Sequence, residues 1–217
     1  METNIIYNED CLETLAKMED NSIDLIVTSP PYNKNFYAPS SGADKSCSAL
    51  RGRQIPYDEY SDSMQPKDYE NWQRNIISEC IRVLKPSGSL FYNHKDILVG
   101  GGIVSPSYVY DFNVHQQIIW DRCSSPMLDS HYFLPITEYI YWIVKDKKEF
   151  FFDKSKSVFR QNIWRMNVDK NPHPAPFPYI MAANIISCCS KEGDIVYDPF
   201  MGSGTTALAC VRLGRHY

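Results

Sequence analysis

The chain has 217 residues, 43% hydrophobic and 22% charged, with 22 Lys and Arg against 26 Asp and Glu for a formal charge of −4. That length suits a single α/β domain, and the composition is that of a folded protein, so disordered and fibrous classes are excluded. No apolar run approaches the ~18 residues that span a bilayer, the N-terminus is not signal-like, and the net acidity argues against a protein coated in nucleic acid. Seven cysteines, with no Cys-x-x-Cys pair and with Cys188 and Cys189 adjacent, read as reduced, buried thiols of a cytoplasmic protein. Neither a disulfide framework nor a metal site is expected.

In chain order, Asn4 to Tyr7 reads as a short apolar strand, and Asp10 to Lys17 as a helix with Asp10 as its cap. Ile23 to Thr28 (IDLIVT) is a continuous β-branched run, the pattern of a strand buried on both faces of a parallel sheet. Ser29-Pro30-Pro31-Tyr32 ends it, because neither proline can donate to a ladder. Residues 33–66 are rich in Ser, Gly, Pro and charge, too long for an idle connection. A helix is expected over Lys67 to Leu84, a break at Lys85-Pro86-Ser87-Gly88, and a strand over Ser89 to Asn93. Val114 to Trp120 and Glu138 to Val144 are further strands. Ala182 to Cys189 is helical, and Ile195 to Tyr197 is a short strand entering Asp198-Pro199-Phe200-Met201-Gly202-Ser203-Gly204-Thr205-Thr206, with a last helix from Thr205. Alternating strands and helices imply one α/β domain, a mostly parallel sheet with helices on both faces and large inserted loops.

Two features carry chemistry. A strand, a turn holding Gly202 and Gly204, and a helix start allow close backbone approach to a ligand at a positive dipole end. A P-loop would have Lys where Thr205 stands, and the spacing is not that of dinucleotide-binding enzymes. The Ser29-Pro30-Pro31-Tyr32 turn lies at a strand's C-terminal end, where open α/β sheets place their chemistry. A hydroxyl, two proline carbonyls and a flat ring suit a planar amine such as a nucleobase's exocyclic group. Two basic islands add a place for phosphates: four basic residues to one acidic over Lys34 to Pro56, and eight to four over Lys145 to Lys170. Solvated basic loops would give the same pattern.

TSPPY followed about 170 residues later by DPFMGSGTT resembles the DNA amino-methyltransferases, which use S-adenosylmethionine to methylate cytosine N4 or adenine N6; this motif order resembles their β class. The resemblance extends to Asn8 to Glu13, Leu84 to Ser89 and His173 to Pro178 (HPAPFP). It implies a Rossmann-like methyltransferase fold over residues 1–217, with 33–66 and roughly 100–170 holding loops for DNA contact. It further implies that Asp198, Phe200, Gly202, Ser203, Gly204, Thr205 and Thr206 hold the cofactor's methionine and ribose, that Asp10 bonds its adenine, and that Phe177 walls the pocket. Ser29, Pro30, Pro31 and Tyr32 would be catalytic, orienting and stacking on a base flipped from double-stranded DNA. Serine before Pro-Pro-Tyr leans towards cytosine N4 in that family, and Asp or Asn towards adenine N6.

A homodimer, a matching restriction endonuclease and a bacterial or phage origin are further implications. The family's acidic ribose-binding strand would begin where this chain stops, at Arg215-His216-Tyr217, so a fragment, or a strand supplied from elsewhere, is expected. The rival readings are a non-catalytic DNA-binding module on the same fold and an RNA or protein amine methyltransferase.

Overall fold

The computed structural model describes residues 2–37, 62–99, 102–125, 133–169 and 178–217. Helix α1 (Cys11–Lys17) leads into β1 (Ile23–Thr28), and α2 (Pro66–Val83) into β2 (Leu84–His94). A small hairpin, β3 (Ile97–Val99) and β4 (Gly102–Val104), precedes β5 (Val114–Asp121) and β6 (Thr137–Val144). Then come β7 (Ile163–Arg165), α3 (Tyr179–Cys189), β8 (Val196–Tyr197) and α4 (Thr205–Leu213). The helix ends follow local chemistry. Asp10 caps α1 by accepting from the Leu12 amide, Pro66 opens α2 where no amide donor is needed, and Gly214 ends α4 in the left-handed conformation.

Six strands form one sheet in the order β7-β5-β6-β2-β1-β8. Neighbours run parallel at β1/β2, β1/β8 and β5/β7, and antiparallel at β2/β6 and β5/β6. The fold is therefore the expected Rossmann-like α/β arrangement, with β6 reversed within it. Strand β1 is buried on both faces, as its unbroken β-branched run requires. Leu25 and Val27 join Phe91, Ile140 and Trp142 in a core under α3 and α4, and Ile26 joins Leu90, Tyr92 and Ile143 in a core under α1 and α2.

Three expectations need correction. Asn4 to Tyr7 is not a strand: Asn4 takes a left-handed φ of 64°, and its amide bonds the Tyr217 carbonyl at 2.6 Å, turning the segment away from sheet pairing. Lys85 to Gly88 does not break the chain between α2 and the next strand. Ile23 pairs with Leu84 and Leu25 with Ser89, so Lys85 to Gly88 are looped out within β2, where Pro86 needs no ladder donor. Cys123 is exposed, although Cys11, Cys80, Cys188, Cys189 and Cys210 are buried as expected. The basic residues Lys45, Arg51 and Arg53, and the segment from His173 to Phe177, lie outside the described residues. Among the described residues no helix is long and apolar enough to cross a membrane.

The topology brings specific chain ends to one rim. The parallel strands β1, β2 and β8 end there at Thr28, His94 and Tyr197, and β5 ends there at Asp121. Because β6 runs the other way, its beginning rather than its end lies on this rim, with Glu138 opposite Trp120 and Tyr139 opposite His94.

Leu90, fully buried at the centre of β2 between Ile26 and Ile143, tests the core. Leu90→Ala should cost about 2–5 kcal/mol, seen as a lower denaturation midpoint with an unchanged slope.

Candidate active site

The two turns meet through one carboxylate. The Thr28 hydroxyl, at the end of β1, donates to Asp198 Oδ1 at 2.7 Å, and the Thr206 hydroxyl, in the first turn of α4, donates to Asp198 Oδ2 at 2.7 Å. The Phe200 amide adds a third bond to Oδ1 at 3.0 Å. Asp198 thus staples the proline turn, the glycine turn and the helix start. Burial raises its pKa from 3.8 to about 6 against the opposing pull of these donors. Gly202 and Gly204 have φ of 52° and 79°, a region costly to residues with a Cβ, and a Cβ on Gly204 would meet nothing within 4 Å. The glycine here answers to backbone conformation and leaves open space beside the turn.

The proline turn is pinned from below. The Pro31 carbonyl accepts from the Tyr69 hydroxyl at 2.7 Å and from Gln73 at 3.5 Å, so of the two proline carbonyls expected as acceptors this one is engaged within the fold. Beyond Tyr32, Asn33 takes a left-handed φ of 57°, and Asp62 accepts from the Asn33 and Lys34 amides at 2.7 and 3.0 Å.

Ser29 is half-buried, while Tyr32 behind it is only 7% exposed. The Tyr32 hydroxyl lies 2.8 Å from Ser29 Oγ, 2.7 Å from Asn93 Nδ2 and 3.1 Å from Glu138 Oε2. Asn93 Nδ2 also donates to Glu138 Oε2 at 3.0 Å, and Arg122 pairs with Glu138 Oε1 at 2.9 Å. Burial, with the Glu138 charge beside it, holds the Tyr32 hydroxyl far above its ordinary pKa, so it keeps its proton. The His94 ring packs against Tyr32 at 4.5 Å with a 38° tilt, and burial lowers its pKa to about 3, keeping it neutral. The Lys34 and Lys95 ammonium groups lie 5.1 and 6.0 Å from the Tyr32 ring centre. Trp72 of α2 meets Phe200 edge to face at 5.8 Å, packing the helix against the glycine turn.

Beside the glycine turn lies a cavity of about 210 Å³. Its walls come from Ile5, Ile6 and Tyr7 before α1, Met18 after it, and Asp198, Pro199 and Met201 beyond β8. Glu9 and Cys11 line it, while Asp10 between them is occupied as the α1 cap. An apolar wall with carboxylates at its edge fits a flat heterocycle carrying a positive charge nearby. Phe177, expected to wall this pocket, lies outside the described residues.

Of the expected residues, Ser29, Pro30, Pro31 and Tyr32 lie on one turn, and Asp198 to Thr206 on the neighbouring one. Asn93, Glu138, Arg122, His94 and Tyr69 were not expected. Glu138 did carry a signal: it is a charged residue at the head of an otherwise aromatic and β-branched run.

The Asp198 carboxyl titrates near 3.8 when unfolded and at about 6 when folded, so the folded state holds the extra proton in between. Stability from this group is full below the lower value and lost as pH rises through the upper one. Asp198→Asn should therefore gain on the wild type by up to about 3 kcal/mol in unfolding free energy between pH 4 and pH 7. Chemical denaturation across that range measures the difference; a constant gap would reject a raised Asp198.

A family described as DNA methylase, spanning N6 and N4 amino-methyltransferases, matches residues 23–217. The Type II methyltransferase M.BglII of Bacillus subtilis is 28% identical over 99% of this chain, and the chain spans 64% of that protein's length. M2.DpnII of Streptococcus pneumoniae, also a Type II methyltransferase, is 28% identical over 98% of this chain and 82% of its own. The PvuII DNA methyltransferase (cytosine-N4-specific) superposes with a TM-score of 0.74 at 19% identity, covering 99% of this chain and 80% of that one. A putative DNA modification methylase of Thermus thermophilus, complexed with S-adenosyl-L-methionine, gives 0.65 at 24% identity over 95% and 82%. The chain belongs to the DNA methylase family of N6 and N4 methyltransferases.

Proposed function

We propose that the chain moves a methyl group from S-adenosylmethionine to the exocyclic amine of a base flipped out of double-stranded DNA, with cytosine N4 favoured over adenine N6. The observation that carries this reading is the Thr28–Asp198 bond of 2.7 Å, which holds a turn suited to a planar amine beside one suited to a methyl donor. Bound beside the glycine turn, S-adenosylmethionine would supply an electrophilic methyl group. Ile5, Ile6, Tyr7 and Met18 would enclose its adenine, and the backbone from Gly202 to Gly204 would approach its amino-acid end.

The protein's own work is to bind and orient. Extruding the base costs a few kcal/mol. Ser29 Oγ and the Pro30 carbonyl accept the amine's hydrogens and draw its lone pair out of conjugation. The Tyr32 ring, backed by His94, offers the small part of its surface that is exposed to the base, and Lys34 and Lys95 beside it face the phosphates that flank the flipped nucleotide in this reading. Holding nitrogen and methyl in line without water is the largest source of acceleration, on the order of 7–11 kcal/mol for such alignment. The preference for cytosine rests on Ser29 before Pro-Pro-Tyr, a serine that leans towards cytosine N4 in the family the motifs resemble. Segments 33–66 and 100–170 are the source of target recognition in this reading, with arginines reading guanine edges. The relatives' Type II naming supports a restriction–modification setting.

Incubation with tritium-labelled S-adenosylmethionine and duplex DNA, followed by nucleoside analysis, should place label in 4-methylcytosine. Label in 6-methyladenine would move the assignment to adenine N6; label in RNA alone, or none, would overturn the reading. Tyr32→Ala should lower transfer roughly ten- to hundred-fold, matching ~1–3 kcal/mol of base stacking, and leave cofactor affinity by calorimetry unchanged.

A further inference from the structure

We propose that Glu138 is a positioning residue which sets the direction of the Tyr32–Ser29 hydrogen-bond chain and receives, through it, the proton that the amine must lose. This rests on the methyl-transfer reading above. The argument is one of counting protons. Tyr32 Oη carries one hydrogen and can accept two, and it has three partners at 2.7–3.1 Å: Ser29 Oγ, Asn93 Nδ2 and Glu138 Oε2.

Asn93 Nδ2 can only donate. Glu138, ion-paired to Arg122 through its other oxygen, can only accept. Tyr32 must therefore give its hydrogen to Glu138, and its remaining acceptor position takes the Ser29 hydroxyl hydrogen. The reverse order would leave two oxygens 3.1 Å apart with no hydrogen between them. Asn93 Nδ2 lies 2.7 Å from Tyr32 Oη, 3.0 Å from Glu138 Oε2 and 3.4 Å from Ser29 Oγ, so its two hydrogens serve the two nearer oxygens and occupy one acceptor position of Tyr32. Because the Ser29 hydrogen points inward, the Ser29 lone pairs face the open side of the site. Ser29 is half-buried and Tyr32, Asn93 and Glu138 are buried behind it, so the chain runs from the exposed rim into the fold.

That order suits the proton balance of amine methylation. As nitrogen bonds the methyl carbon, the carbon–sulfur bond breaks and its electron pair stays on sulfur, so the nitrogen becomes cationic. An N–H bond then breaks towards Ser29 Oγ, the Ser29 hydrogen passes to Tyr32 Oη, and the Tyr32 hydrogen passes to Glu138 Oε2. A neutral methylated amine and a neutral Glu138 result, and Glu138 resets when its proton is released to water. Arg122 holds the carboxylate in place without competing for Oε2.

Two measurements test this. In the free protein, proton NMR should show a low-field hydroxyl signal that is absent in Tyr32→Phe and moves upfield in Glu138→Gln. In single-turnover transfer to unmodified duplex DNA, Tyr32→Phe and Glu138→Gln should each slow the wild-type rate about tenfold or more with cofactor affinity unchanged. Adding Glu138→Gln to Tyr32→Phe should then slow transfer by less than a further factor of about two. A purely structural Glu138 would slow the Tyr32→Phe protein as much as the wild type, and that result, or wild-type rates in either single variant, overturns the proposal. Should Glu138→Gln fail to unfold cooperatively, Tyr32→Phe, which keeps the ring, decides alone. A wild-type protein that labels no base overturns the methyl-transfer reading and the relay with it, while the hydroxyl signal still reports whether the bond order is right.

Discussion

Everything at the rim depends on a buried carboxylate satisfied by three donors from three pieces of chain. Burying Asp198 is unfavourable, and its pKa near 6 is the measure of that penalty. What the carboxylate supplies is geometry. Thr28, Thr206 and the Phe200 amide are fixed to one point, so the turns after β1 and β8 cannot drift apart. A hydrophobic residue of the same size would pack with a smaller penalty but would not specify the relative position of two loops. Both oxygens of Asp198 are bonded within the fold, which makes it an organiser of the pocket's frame, and the residue also lines the cavity beside the turn.

The second layer of order is polar and lies beneath Ser29. Tyr32, Asn93, Glu138 and Arg122 come from four separate elements and share their hydrogen bonds almost completely; among the described residues only Asn93 Oδ1 and Arg122 Nε are left without a partner in this cluster. A network so nearly satisfied in a dry interior holds one arrangement firmly. The rigidity falls behind the half-buried Ser29, on the side turned away from the rim.

What the sequence announced and what it hid divide along contact range. The strand at Ile23 to Thr28 was legible because burial on both faces demands an unbroken apolar run, and the α1 cap was legible because Asp10 acts on its own next turn. The proline turn and the glycine turn were legible for the same reason, since proline and glycine constrain the backbone where they stand. Glu138 and Asn93 were not, because they become neighbours of Ser29 only once β2 pairs with β1 on one side and a reversed β6 on the other. Lys85 to Gly88 misled in a different way. The local composition does signal a break, but the ladder continues past it, with the surplus residues bulged outwards.

The reversal of β6 has an architectural effect beyond the placement of Glu138. The connection from β5 to β6 leaves and re-enters the sheet at the same rim as the two turns, and its neck is closed by the Arg122 amide bonding the Ile136 carbonyl at 2.8 Å and by the Arg122–Glu138 ion pair. The described residues of that connection, 122–125 and 133–136, belong to no strand. Such a connection is a cassette: its side chains can be exchanged while the pairing of β5 with β6 underneath keeps its register.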